Sequence, residues 1–232
     1  RKALDAVNLI ELKRDGRLKG RSCANGAKQR SYLTEYDSVA SPTVSLEGFF
    51  TTLLISAYEG RKNISFDVPG AFLQAEMPDD KLVLLRFKGR LAEMLGETND
   101  EYRKHIRREN GKTVLYVKVI RAIYGCIESA LQWYKLFTTT LENMGFKINP
   151  YDKCVANKWM NGKQLSIAWH VDDCIASHVD ESVLGDFARD MINEFGEMEI
   201  TKGSCHDFLG MKISFNDDKS VSVDMRNQIA QV

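Results

Sequence analysis

The feature that most constrains this chain is an apolar strand that runs straight into two consecutive aspartates. Residues 164–171 alternate Leu165, Ile167, Trp169 and Val171 against Ser166, Ala168 and His170, the period of a half-buried β-strand. Cys174-Ile175-Ala176 resumes after Asp172-Asp173, which predicts a hairpin with two acids at its tip. A third acid, Asp67, ends the run Asn63-Ile64-Ser65-Phe66-Asp67-Val68 before Pro69-Gly70 breaks it. If these strands are neighbours in one sheet, the carboxylates converge. Consecutive strand residues face opposite ways, so Asp172 and Asp173 can serve one site only because a turn intervenes. Aspartate is also an ordinary turn residue, and the pair alone does not decide between the two uses.

The remaining pattern is mixed. A basic strand pair is expected over 1–34, with Arg14-Asp15-Gly16-Arg17 as its turn. A buried helix is expected between Pro42 and Gly60, and strands over Leu82-Val83-Leu84-Leu85 and Val114–Val117, with a polar helical or loop excursion at 88–112 between them. Trp133, Phe137, Leu141 and Met144 share one face of a helix closed by Gly145. Asp180 caps another helix carrying Val183 to Phe195, and Phe208–Ile213 and Val221–Val223 read as closing strands. The order from Asp67 onward, β-α-β-β-α-β, predicts an α+β fold of the split βαβ type.

The 232 residues hold 32 lysines and arginines against 32 aspartates and glutamates, so net charge identifies no partner. The distribution does more: residues 1–30 carry nine basic side chains and three acids, whereas 170–200 carry nine acids and one base. Five scattered cysteines with no C-x-x-C pair argue against a disulfide scaffold or zinc ribbon and for a reducing, cytoplasmic setting. No apolar run approaches the roughly 20 residues of a membrane span, so no membrane is expected. The start at Arg1 suggests a piece of a longer polypeptide.

Clustered carboxylates in a partly dry cleft repel one another unless divalent cations neutralise them. Hard oxygen donors select magnesium or manganese, and two such ions can hold the attacking and leaving oxygens of an in-line phosphoryl displacement.

Phe66-Asp67-Val68-Pro69-Gly70-Ala71-Phe72-Leu73, then Ala122–Ala130 (AIYGCIESA) running into Gln132-Trp133-Tyr134, then Val171-Asp172-Asp173, then Phe208-Leu209-Gly210-Met211 resemble the ordered motifs of copia-type retrotransposon reverse transcriptases. The arm Asp15–Arg21, Ser41-Pro42-Thr43 and Tyr151–Val155 extend the resemblance over nearly the whole chain.

The resemblance implies RNA-directed DNA synthesis on a palm (split βαβ, ferredoxin-like) with a fingers subdomain. Fingers-like residues would be 1–62, the first palm part with the catalytic strand 63–86, a fingers insert 87–125, and the palm with its closing strands 126–232. No thumb, ribonuclease H, integrase or protease segment is read in it. Asp67, Asp172 and Asp173 would be catalytic and, with the Val68 carbonyl, hold two Mg2+ or Mn2+ ions. Nucleotide contacts would come from Phe72, a ring that discriminates against a 2′-hydroxyl, with Ala71, Tyr124 and Gly125, and from Arg17, Lys19 and Arg21. Ser129 belongs to the same platform as Tyr124 and Gly125. Primer contacts would come from His170, Val171, Phe208, Leu209, Gly210 and Met211, and Lys202 is a candidate proton donor to pyrophosphate. The partners implied are an RNA or DNA template with a DNA primer, dNTPs, and other Pol polyprotein segments such as RNase H and integrase, in virus-like particles or elsewhere inside the cell. His170 and Ala130 depart from the tyrosine and proline usual in the family, and His170 adds a titratable ring near the carboxylates. Three alternatives stand beside this: an inactive or repurposed fragment that binds nucleic acid without polymerising, a palm-like phosphotransferase of another kind such as a nucleotidyl cyclase, and a zinc site on His170, Cys174 and His178.

Overall fold

The computed structural model describes residues 3–12, 16–31 and 40–229; the expected turn at 14–17 lies partly outside them. The chain opens with β1 (Leu4–Leu12), β2 (Leu18–Ala24) and a 3-10 turn, then α1 (Leu46–Tyr58), β3 (Lys62–Asp67) and α2 (Ala71–Gln74). Next come β4 (Leu84–Lys88), α3 (Arg90–Thr98), α4 (Asp100–Lys104), β5 (Arg107–Glu109) and β6 (Lys112–Lys118). After α5 (Ser129–Asn143) follow β7 (Lys147–Ile148), β8 (Val155–Met160), β9 (Lys163–His170) and β10 (Asp173–His178). The chain closes with α6 (Glu181–Phe195), β11 (Ile200–Gly203), β12 (Cys205–Phe208), β13 (Met211–Phe215), β14 (Val221–Asp224) and α7 (Arg226–Ile229).

Two compact units result, residues 1–40 with 72–133 and residues 41–71 with 134–232. The helix expected beside the basic hairpin, α1, therefore belongs with the second unit.

In the second unit an antiparallel sheet has the order β11-β3-β10-β9-β8-β7. Its first four strands, with α5 and α6, form the split βαβ expected from the sequence. The fourth strand of that motif is Ile200–Gly203, however, and not the Phe208–Ile213 run, which folds instead into a hairpin. One sheet face meets α5 and α6, where Phe137 contacts Trp169 at 5.3 Å and Phe66 contacts Phe187 at 6.3 Å between ring centroids. The other face buries Val155, Ala168 and Ile175 against Phe49 and Leu53 of α1 and Phe208, Met211 and Ile213 of the small sheet β12-β13-β14.

Helix α1 begins four residues after Pro42, not at it, because Ser45 is the cap: its Oγ accepts from the Gly48 N–H at 2.9 Å. Asp152 fastens that cap, with its Oδ2 accepting from the Ser45 N–H at 2.9 Å and the Ser45 hydroxyl at 2.8 Å. A Cβ at Gly48 would stand 2.2 Å from this carboxylate, so the helix needs glycine there. Asp180 caps α6 as expected, accepting from the Ser182 N–H at 2.9 Å.

The first unit holds a five-stranded sheet of order β2-β1-β4-β6-β5, in which only β1 and β4 run parallel. Its 88–112 excursion is helical, as α3 and α4, before β5. Helix α3 covers one face, with Ala92 and Leu115 fully buried and the Thr113 hydroxyl donating to Glu93 at 2.9 Å. No described helix is long and apolar enough to cross a membrane.

Candidate active site

The two carboxylate-bearing strands are direct neighbours. β10 pairs antiparallel with β3 so that Asp173 stands opposite Asp67, and β10 pairs with β9 so that Asp173 also stands opposite His170. Residues directly opposite in a ladder share a face, so His170, Asp173 and Asp67 form one row across three strands. The row exists because β3, β9 and β10 bury residues on both faces, Ile64 and Phe66 toward the helices and Asn63 and Ser65 on the other side in β3, which fixes the register.

The tip is a two-residue loop of Val171 and Asp172, and Asp173 is already the first residue of β10. Asp172 is anchored by its backbone, its carbonyl accepting from the Val68 N–H at 2.9 Å. Val171 has φ of 59°, a left-handed conformation at a loop position that ordinarily takes glycine. For a β-branched residue this costs on the order of 1–3 kcal/mol, held in place by the ladders on either side.

Burial pushes the Asp173 carboxyl up to about 7, and the negative charges of Asp67, Asp172 and Asp207 push the same way. The Leu209 N–H, donating to Oδ2 at 2.7 Å, opposes them. That donor sits in a second tight turn: Leu209 and Gly210 have φ of 51° and 73° between β12 and β13, the signature of a type I′ hairpin. Phe208 and Met211 flank it and are buried at 1% and 2% exposure, Phe208 stacking on Phe49 at 4.4 Å. Of the six residues expected to touch a primer, four lie here: Phe208 and Met211 anchor the hairpin in the core, and Leu209-Gly210 is the part it presents.

A cleft of about 210 Å3 opens on the carboxylates, lined by Ser65, Asp67, Asp173, Glu199, Thr201, Cys205 and Asp207 among others. Asp67 and Asp173 share this cleft with Glu199 and Asp207, two acids outside the expected three, whereas Asp172 is not among its lining residues. Among the described residues no three His, Cys, Asp or Glu side chains stand together as a metal-binding group; Asp67 and Asp173 are the pair in direct register. The donor set still fits a hard divalent cation: oxygen ligands only, one of them partly desolvated and raised by neighbouring negative charge.

Several expectations change in detail. His170 Nδ1 is buried without a hydrogen-bond partner among the described residues. Cys174 and His178 lie on the sheet face opposite to the His170–Asp173 row, and His178 is fully buried with its ring nitrogens near the Asp180 and Met160 carbonyls, so no zinc site forms. Thr201 lines the acidic cleft, and strand alternation turns Lys202 away from it, which removes Lys202 as a proton donor there.

In the first unit, Phe72 and Tyr124 pack ring to ring at 4.8 Å. Gly125 has φ of 82°, and a Cβ on it would stand 2.0 Å from the Ala24 carbonyl oxygen. Its close approach is thus to its own unit's backbone, where the Ala24 N–H also donates to the Tyr124 carbonyl at 2.8 Å. The Ser129 hydroxyl staples the same segment, donating to the Ile123 carbonyl at 2.7 Å. Ala71, in the second unit, is buried. Lys19 and Arg21 share a face of β2, Arg21 pairing with Glu11 at 3.4 Å, whereas Arg17 precedes the strand.

Residues 7–232 match the family model described as "Reverse transcriptase (RNA-dependent DNA polymerase)". The chain belongs to the copia-type reverse transcriptase family. A curated relative, the retrovirus-related Pol polyprotein from transposon TNT 1-94 of Nicotiana tabacum, is 23% identical over 211 residues. That match takes in 88% of this chain but 14% of the polyprotein. Among solved structures, a foamy viral protease–reverse transcriptase in complex with double-stranded DNA superposes with a TM-score of 0.50 and 11% identity, over 100% of this chain and 33% of that one. A Candida albicans telomerase aligns at a TM-score of 0.45 and 9% identity, over 97% of this chain and 47% of that one. The α+β architecture is accordingly a reverse-transcriptase fold, with the carboxylate ladder of β3 and β10 at its candidate active site.

Proposed function

We propose that this reverse-transcriptase domain is the nucleotidyl-transfer module of a copia-like element, adding dNTPs to a primer 3′-hydroxyl on an RNA or DNA template. The observation that carries the proposal is the register placing Asp67 opposite Asp173 with Asp172 in the adjoining loop. In this reading the second unit's six-stranded sheet is the palm and the first unit's sheet the fingers. Asp67, Asp172 and Asp173, with the Val68 carbonyl, would hold two magnesium or manganese ions. These would supply Lewis-acid stabilisation of the attacking oxygen and the departing pyrophosphate.

The protein's own contribution is placement. The Leu209 N–H orients Asp173, and the Leu209-Gly210 turn beside it presents backbone to a primer end. His170 and Val171 at the tip would lie next to that end, and Phe72, packed against Tyr124 with their rings tilted by 57°, would form the sugar-discriminating surface. The face of the five-stranded sheet opposite α3 supports a nucleic-acid partner: the pairing registers put Lys19, Arg21, Arg86, Lys88, Arg107, Lys112 and Lys118 on it, against Asp5, Glu11 and Glu109. Five free thiols fit a reducing intracellular setting, and RNase H and integrase segments of a longer polyprotein are the natural covalent partners.

Primer extension on poly(rA)/oligo(dT) with Mg2+ or Mn2+ tests this, using the chain alone and within its longer polyprotein. Asp67→Asn and Asp172→Asn should each reduce extension at least about 1,000-fold, in line with losing a metal-neutralising group of several kcal/mol. Retained, salt-sensitive nucleic-acid binding without extension in either form would instead make it a binding fragment.

A further inference from the structure

The β3–β11 ladder has a second cleft at the end away from the aspartates. It encloses about 440 Å3 and is lined by four cations, Arg61, Lys62, Lys202 and Lys219, against two carboxylates, Glu181 and Asp217. Glu199 and Thr201 of one edge and Ser65 to Asp67 of the other line the acidic cleft, whereas Lys202-Gly203 and Lys62–Ile64 line this one. Lys62 and Asp67 are five residues apart, or about 17 Å at the rise of an extended strand. The two clefts are therefore separate and opposite in charge.

The cations differ in how they are held. The Arg61 side chain is 1% exposed and donates to the hydroxyls of Ser166 at 2.9 Å and Ser177 at 3.4 Å, with Nε on Glu59 at 2.9 Å. It is a fixed charge. Lys62, Lys202 and Lys219 are exposed and, among the described residues, form no ion pair; Lys219 rests 5.4 Å from the Tyr58 ring centre. With Arg61 buried and paired to Glu59, the accessible charges are three exposed ammonium groups against two carboxylates, and in a concavity of ligand size they suit an anion with several oxygens. Lysine serves such an anion as a point charge.

We propose that this cleft binds phosphate groups, as a site distinct from the carboxylate centre. The chemistry is shared by a nucleic-acid backbone and by a free polyphosphate or nucleotide, and the test separates them. Inorganic tripolyphosphate is titrated by calorimetry into the chain in the presence of EDTA, and binding of a labelled RNA–DNA duplex is followed against salt, for wild type, K62Q/K202Q/K219Q and the charge-preserving K62R/K202R/K219R. A duplex salt slope lowered by about 2 to 3 in the glutamine variant, restored in the arginine variant, assigns the cleft to the nucleic-acid backbone. A tenfold or greater loss of tripolyphosphate affinity with an unchanged slope assigns it to a free phosphate compound. If neither quantity changes, the proposal is overturned. Neither readout uses catalysis, so failure of the polymerase assignment and failure of this site are told apart.

Discussion

Asp173 concentrates the physical tension of this molecule in one side chain. Its carboxyl is held near 7, against 3.8 ordinarily, so the folded chain keeps a proton that the unfolded chain has lost. As pH rises between those values the fold loses stability, at about 1.4 kcal/mol per pKa unit. The metal-free chain should therefore melt lower at pH 8 than at pH 5.5. Asp173→Asn should flatten that difference and raise the melting temperature at pH 8 while abolishing extension; thermal melts in EDTA across pH check this. Gly125 is the converse case, where backbone geometry and not charge is at stake. Gly125→Ala would drive a methyl into the Ala24 carbonyl at a left-handed φ, and a loss of at least about 2 kcal/mol in urea unfolding is expected.

Among elements, the β9–β10 hairpin and α6 were the most legible in the sequence, because strict alternation and an aspartate cap each follow from one short rule. The Asp67–Asp173 juxtaposition follows from the sequence wherever β3 and β10 are neighbours, as they are here. Other elements escaped for physical reasons. β8 carries Asn157 and Lys158 where alternation would ask for a clearer apolar signal, and β11 is a four-residue strand whose exposed residues leave no pattern. Residue patterning alone reads the β12–β13 turn as continuous strand, because Leu209, an apolar residue, adopts the conformation that usually announces itself as asparagine or glycine; only the family resemblance marks a hairpin there. Missing that turn and β11 also hid Asp207 and Glu199. In the other sheet, β1 is tied to β4 by Asp5, which contacts Arg86 at 2.7 Å and Lys88 at 2.8 Å and is held down to about 2, chiefly by Lys88. Stability from this cluster is present above the ordinary carboxylate value and lost as pH falls through about 2. Asp5→Asn should cost about 1 kcal/mol at neutral pH and progressively less as pH falls below the ordinary carboxylate value toward 2, measured by denaturant titration.

For the molecule as a whole, a formal charge of zero conceals a strong segregation of sign. The face of the five-stranded sheet opposite α3 is basic and the carboxylate cleft acidic, so binding to nucleic acid should weaken steeply with salt despite the neutral total. Arg107→Gln and Arg21→Gln should each lower the magnitude of the salt slope by about 1 without changing sequence preference, as read by anisotropy. The chain order adds a constraint of another kind, since most of the first unit is threaded between β3 and α5. Side chains in β3 alternate strictly between the helix-covered face and the cleft, so adding or deleting one residue between Lys62 and Asp67 would rotate the carboxylate to the wrong side of the sheet. Length changes through descent are thus confined to segments such as 88–112, and related elements should differ in size there while keeping this six-residue ladder free of insertions and deletions.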